Sequence, residues 1–76
     1  MKILKEYKTF NKETGEIRVD VQLVESGTVY KIIQNGETTC SSKNLDDLDD
    51  YYEMLKEMDY YLASSLKYYE VYVVRY

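Results

Sequence analysis

Between Glu16 and Glu25 apolar and polar residues alternate one for one. Ile17, Val19, Val21 and Leu23 fall on one side; Glu16, Arg18, Asp20 and Gln22 fall on the other. A repeat of two with β-branched residues predicts a half-buried strand. Lys2 to Phe10 alternates less cleanly and reads as a strand before it. The joining segment, Asn11-Lys12-Glu13-Thr14-Gly15, ends in a glycine free to take a positive φ. Ser26-Gly27 closes the second strand, and Thr28 to Gln34 reads as a third. Asn35-Gly36 is a strong hairpin signal, because a type I′ turn needs positive φ at both central residues. Glu37 to Ser41 then follows as a fourth strand, completing an antiparallel meander.

The period changes at Asn44, which can cap a helix and has Asp47 three residues on, close to a capping box. From Leu45 to about Lys67 there is neither Gly nor Pro. Leu48, Leu55, Leu62 and Leu66 share a narrow wedge at about 100° per residue, flanked by Tyr52 and Met58. This predicts one long amphipathic helix with its Leu stripe on the inner face of the sheet. Val71-Tyr72-Val73-Val74 reads as a last strand. A helix returning antiparallel to strand four sends strand five antiparallel to strand one, giving the order 5-1-2-3-4. The expected fold is α+β, ββββαβ, in a single domain over residues 1–76.

Length and composition narrow the chemistry. A chain of 76 residues buries only about 60% of the surface its unfolded form exposes, so the core is small. The apolar fraction of 45% belongs to a folded chain rather than a disordered one. With one Cys and no His, an internal disulfide, a structural zinc site, a His general base and a His-based triad are all excluded. No apolar run reaches the roughly 18 residues of a membrane span. The start, Met1-Lys2-Ile3-Leu4-Lys5-Glu6, is too weakly apolar for a signal peptide. An unpaired Cys40 fits a reducing compartment, and the expected location is cytoplasmic.

Charge is polarised. Residues 44–60 hold seven acids (Asp46, Asp47, Asp49, Asp50, Glu53, Glu57, Asp59) against Lys56, a sum of −6. The remaining nine bases and seven acids sum to +2, for a total of −4. On a helix Asp46, Asp50, Glu53 and Glu57 stack along about 16 Å of one ridge opposite the Leu stripe, with Asp49 at its edge. The same face carries Tyr60, Tyr61, Ser64 and Tyr68 farther along. Like charges three and four apart destabilise a helix by roughly 0.2–0.5 kcal/mol per pair. The pairs 46/49, 46/50, 49/53, 50/53 and 53/57 together cost about 1–2.5 kcal/mol on that scale. The helix dipole accounts for Asp46, Asp47 and Asp49 near the N-terminus but not for Glu53, Glu57 or Asp59. A solvated face kept for solubility is the ordinary meaning of a charge run. Solubility, however, does not ask for one sign on one ridge without interspersed Lys.

Other constellations carry less. Asp46-Asp47-x-Asp49-Asp50 lacks the Gly and loop spacing of an EF-hand and sits on a helix, so no dedicated metal is expected. Carboxylate pairs on a water-facing ridge lack the desolvated setting that acid/base catalysis needs. Cys40 has no His partner, and Gly15, Gly27 and Gly36 are isolated turn glycines. No cofactor and no enzymatic activity are expected. Lys2, Lys5, Lys8 and Lys12 interleave with Tyr7 and Phe10, a pattern of single-strand nucleic-acid contact. Glu6 and Glu13 dilute it, and lysines guarding a strand edge against aggregation account for it.

In size, acidity and lack of catalytic equipment the chain resembles the small phage-encoded inhibitors of host defence, anti-CRISPR proteins among them. That resemblance implies a protein that blocks a nucleic-acid-binding enzyme by occupying its DNA channel. The first reading is therefore an interaction protein. Asp46, Asp49, Asp50, Glu53 and Glu57 would imitate phosphates on a basic nucleic-acid-binding partner, with Tyr60, Tyr61 and Tyr68 as aromatic anchors. The second reading is a self-associating structural module. It would form a homodimer through the outer sheet face (Arg18, Asp20, Gln22, Val24) or the Tyr-rich C-terminus. A small enzyme, the third, would need a deep pocket lined by shifted carboxylates.

Overall fold

The computed structural model describes residues 1–65, with side chains through Ala63, and the backbone of residues 69–75. Four antiparallel strands precede one helix: β1 (Lys2–Asn11), β2 (Ile17–Ser26), β3 (Val29–Gln34), β4 (Glu37–Ser42) and α1 (Leu45–Ser65). The class is α+β, and β1 to β4 neighbour one another in chain order. The expected meander and helix hold, with strand ends moved by about one residue.

Local chemistry explains the turns. The Asn11 side-chain oxygen accepts from the amides of Glu13 (2.8 Å) and Thr14 (3.2 Å), and Gly15 at φ 74° lets the chain enter β2. Asn35 and Gly36 take φ values of 51° and 85°, both positive as a type I′ turn requires. Asn35 also ties this turn to β2. Its amide donates to the Asp20 carbonyl at 2.7 Å, and its side-chain oxygen accepts from the Asp20 amide at 2.8 Å. These bonds continue the pairing one step past Val21↔Gln34, the end of the β2–β3 ladder.

A bulge in β1 decides what lies under the helix. Tyr7 pairs with Val21 and Lys5 with Leu23, but Ile3 pairs with Val24, so Leu4 is the extra residue. Leu4 packs against the core, and Lys5 reaches the helix. The core consists of Tyr7, Val21, Leu23, Ile32, Leu48 and Tyr52, with Leu4, Val19, Tyr30, Cys40, Leu45 and Leu55 packed around it. Ile17, which the alternation assigns to the same side, is exposed at the tip of the β1–β2 hairpin. Val24, on the other side by alternation, is fully buried between its cross-strand neighbours Ile3 and Lys31. It therefore offers little to the outer-face dimer considered above.

At the helix start, the Asn44 side-chain oxygen accepts from the Asp46 amide at 3.0 Å, which is an N-cap. The expected return bond from Asp47 does not form. The Asn44 amide donates instead to the Ser42 hydroxyl at 3.0 Å. The helix is also turned from the orientation its leucines suggest. Leu48, Tyr52 and Ala63 are buried, whereas Leu62 and Met58 are exposed. The buried line runs through Leu48, Tyr52, Asp59 and Ala63, about 45° around the helix from the Leu stripe at 100° per residue. Two contacts with Tyr7 of β1 account for this. Its ring meets that of Tyr52 edge-on, with centroids 5.5 Å apart and planes at 68°, and its hydroxyl donates to the Asp59 carboxylate at 2.5 Å. An aromatic pair adds about 0.5–1.5 kcal/mol beyond its buried area, on top of the larger apolar surface that the fully buried Tyr52 ring contributes.

Candidate functional site on the outer flanks of α1

The 45° turn divides the surface of α1 into two flanks. On one lie Asp46, Asp50 and Glu57, all exposed and within about 40° of one another at 100° per residue. Glu53 and Asp49 lie farther around, toward β1. There the expected ridge changes character. Lys5 donates to Asp49 at 2.6 Å and to Glu53 at 3.2 Å, and Lys56 reaches the other Glu53 oxygen at 2.5 Å. Asp49 and Glu53 were expected to face a partner. They instead form the rim that clamps α1 to β1, because the helix turns toward Lys5, which shares the helix-facing side of β1 with Tyr7. Seven acids, with Lys56 and Lys5 against them, leave five uncompensated charges on the segment.

The clamp perturbs its members. The hydrogen bond to Asp49 raises the Lys5 ammonium above its ordinary 10.5, and burial works against this. The hydrogen bond from Lys56 holds Glu53 below its ordinary 4.5, with Lys5 adding to the effect. Lys5 also lies 5.7 Å from the centroid of the Tyr52 ring, a cation–π contact that links the clamp to the core.

The other flank is apolar beyond the exposed Asp47 of the first turn. Tyr51, Met54, Met58 and Leu62 run along it, and Tyr61 stands between the two flanks. Met58 is 55% exposed, Leu62 53% and Tyr61 74%. Glu57, Met58, Tyr61 and Leu62 border a shallow open depression of about 370 Å³. Tyr60, expected beside Tyr61 as an anchor, is exposed on the β1 side. Tyr68 lies outside the described residues. Among the described residues no group of three or more Cys, Asp or Glu side chains is arranged to hold a metal, and no helix is long and apolar enough to cross a membrane.

Sequence reasoning gave Lys5 and Tyr7 to a lysine-guarded strand and counted Asp59 only as one of seven acids, so it missed their contacts with each other's elements. One signal was available: Lys5, Tyr7 and Thr9 share a period of two, so a buried Tyr7 carries Lys5 to the helix side. The apolar flank was disguised as part of the core stripe.

Burial raises the Tyr7 phenol well above its ordinary 10.0, and the Asp59 carboxylate beside it adds to the rise. In the unfolded chain the phenol loses its proton above pH 10; in the folded chain it does not. Its contribution to stability is therefore complete below pH 10 and falls as pH rises, by up to about 1.4 kcal/mol per pH unit. Tyr7→Phe should lose about 1 kcal/mol at pH 7 and lack this part of the alkaline decline. Lys5 titrates in the same direction in both proteins, so urea unfolding of the pair at pH 7, 9 and 10.5 isolates Tyr7. Parallel declines would show that the phenol does not carry this dependence.

No protein-family model, no curated protein and no solved structure matches the chain.

Proposed function

We propose that the protein is a protein-binding inhibitor. The outer side of α1, with Asp46, Asp50 and Glu57 and the neighbouring Tyr60 and Tyr61, occupies a basic nucleic-acid-binding surface, such as that of a CRISPR effector or another nuclease. The observation that carries this reading is the row of exposed carboxylates on a rigid helix, with no ion pair to them among the described residues. They span about 16 Å of helix at 1.5 Å per residue, and acids so arranged steer a cationic partner and attract the groups that bind phosphates. Asp49 and Glu53 belong to the clamp, so the contact falls to the other three acids.

The reading includes a closing strand. A fifth strand, β5 (Tyr69–Arg75), is proposed antiparallel to β1, giving the order 5-1-2-3-4. The backbone register Lys5↔Arg75, Tyr7↔Val73 and Thr9↔Val71 supports it. Such a strand would cover the free edge of β1 and hold the base of the Lys5 clamp.

The test uses the full chain immobilised and challenged with host lysate at low salt, with DNA as competitor. Retained proteins should be basic, released by DNA, and lost above about 0.3 M salt as screening shortens. Asp50→Lys/Glu57→Lys should retain them at least ten-fold less well while unfolding at the same urea concentration. Equal retention by this variant, or indifference to both salt and DNA, would remove the proposal.

A further inference from the structure

We propose that the apolar flank of α1 is a docking seam for an amphipathic helix of the partner, one that carries Lys or Arg beside its own apolar stripe. The inference rests on the cationic partner just proposed and adds the secondary structure and apolar character of the docking element. Met54, Met58, Tyr61 and Leu62 follow the spacing i, i+4, i+7, i+8, which is the spacing of a face that packs on another helix. All four are exposed, Met54 at 46%. Met58, Tyr61 and Leu62 border a depression with an apolar floor and the Glu57 carboxylate at its edge. Methionines adapt to irregular partners, and an exposed Tyr is a common anchor at interfaces.

Charge selects the occupant. The acidic flank of Asp46, Asp50 and Glu57 runs beside the seam. A second copy of the chain, docked about a two-fold axis through Met58, would bring Glu57 against its own equivalent. Lys56, a base on the same helix, is already engaged by Glu53. A helix with Leu or Ile in the seam and Lys or Arg over the acids satisfies both flanks at once, the mode by which helices bind grooves. The free energy then divides between steering by the acids and affinity from the apolar contact.

The experiment measures binding of three fluorescent probes to the full chain by anisotropy, at 0.05 and 0.15 M salt. The first is a 15-residue Leu/Lys peptide with Leu at i, i+3, i+4 and i+7. The second has the same composition with the leucines scattered around the helix, and the third is an oligolysine of equal charge. The amphipathic peptide should bind at least ten-fold more tightly than either control. Met58→Gln/Leu62→Gln should bring it down to the oligolysine level without altering oligolysine binding. Asp50→Lys/Glu57→Lys should weaken all three. If the seam variant binds the amphipathic peptide like wild type, or if the scattered peptide binds equally well, the seam falls while the acidic reading stands. If charge reversal changes nothing, the cationic occupant falls together with that reading. Concentration-dependent dimerisation of the free chain, abolished by Met58→Gln/Leu62→Gln, would overturn the inference by assigning the seam to a second copy.

Discussion

Tyr52→Ala should remove a large share of the fold's stability, whereas Leu62→Ala should be nearly neutral. The Tyr52 ring is fully buried, meets Tyr7 edge-on and lies beneath the Lys5 ammonium. Removing a buried aromatic ring costs about 3–5 kcal/mol through lost transfer energy and the cavity left behind. A domain of this size has about 4–11 kcal/mol in total. Leu62, half exposed, should lose under about 1 kcal/mol. Tyr52→Phe, which keeps the ring, should remain folded and cooperative. Urea midpoints of the three variants decide the matter. Were Leu62→Ala as damaging as Tyr52→Ala, the helix would sit on its leucines and the exposed seam would not exist.

This contrast also marks the limit of what sequence can supply. The strands and turns of the meander were legible because their causes are local. Alternation from Val19 to Leu23, Asn35-Gly36 and the Asn44 cap each act within a few residues. The rotation of α1 was not legible, since it follows from Tyr7 meeting residues 45 and 52 positions away. A pattern reader ranks four leucines above one tyrosine and one aspartate. The fold prefers the tyrosine, whose ring fills more of a small core, and the aspartate, which gives the Tyr7 hydroxyl a partner. The site inherits the same limit. The excess of acid was plain from the chain. The withdrawal of Asp49 and Glu53 depends on a lysine more than forty positions upstream, whose side of the strand follows from its period with Tyr7 but whose partners on the helix leave no periodic trace. What the chain shows as one acidic ridge is thus two structures, a clamp toward the sheet and a free row toward solvent.

Lys5→Glu should separate those two roles, because it weakens the fold and strengthens the proposed surface. The ammonium bonds Asp49 at 2.6 Å and Glu53 at 3.2 Å. Hydrogen bonds to charged groups contribute about 1.5–3 kcal/mol when shielded, and much less when exposed. Lys5, Asp49 and Glu53 are about one-quarter to one-third exposed, so an intermediate loss of about 2 kcal/mol is expected, with repulsion from the new carboxylate included. Net charge moves from −4 to −6, since one base becomes one acid. The freed carboxylate of Asp49 and the carboxylate introduced at position 5 would extend the acidic row, while Glu53 stays held by Lys56. Association with a cationic probe such as oligolysine should therefore quicken several-fold at low salt, and the gain should shrink as the Debye length drops to about 8 Å at 0.15 M. Stopped-flow association rates beside urea unfolding give both numbers on one sample. A variant that unfolds more easily yet associates no faster would mean that cations do not approach along this ridge, and the inhibitor reading would lose its electrostatic basis. Loss of stability with a faster, salt-sensitive encounter is the pattern expected if Lys5 restrains an acidic surface built for a basic partner.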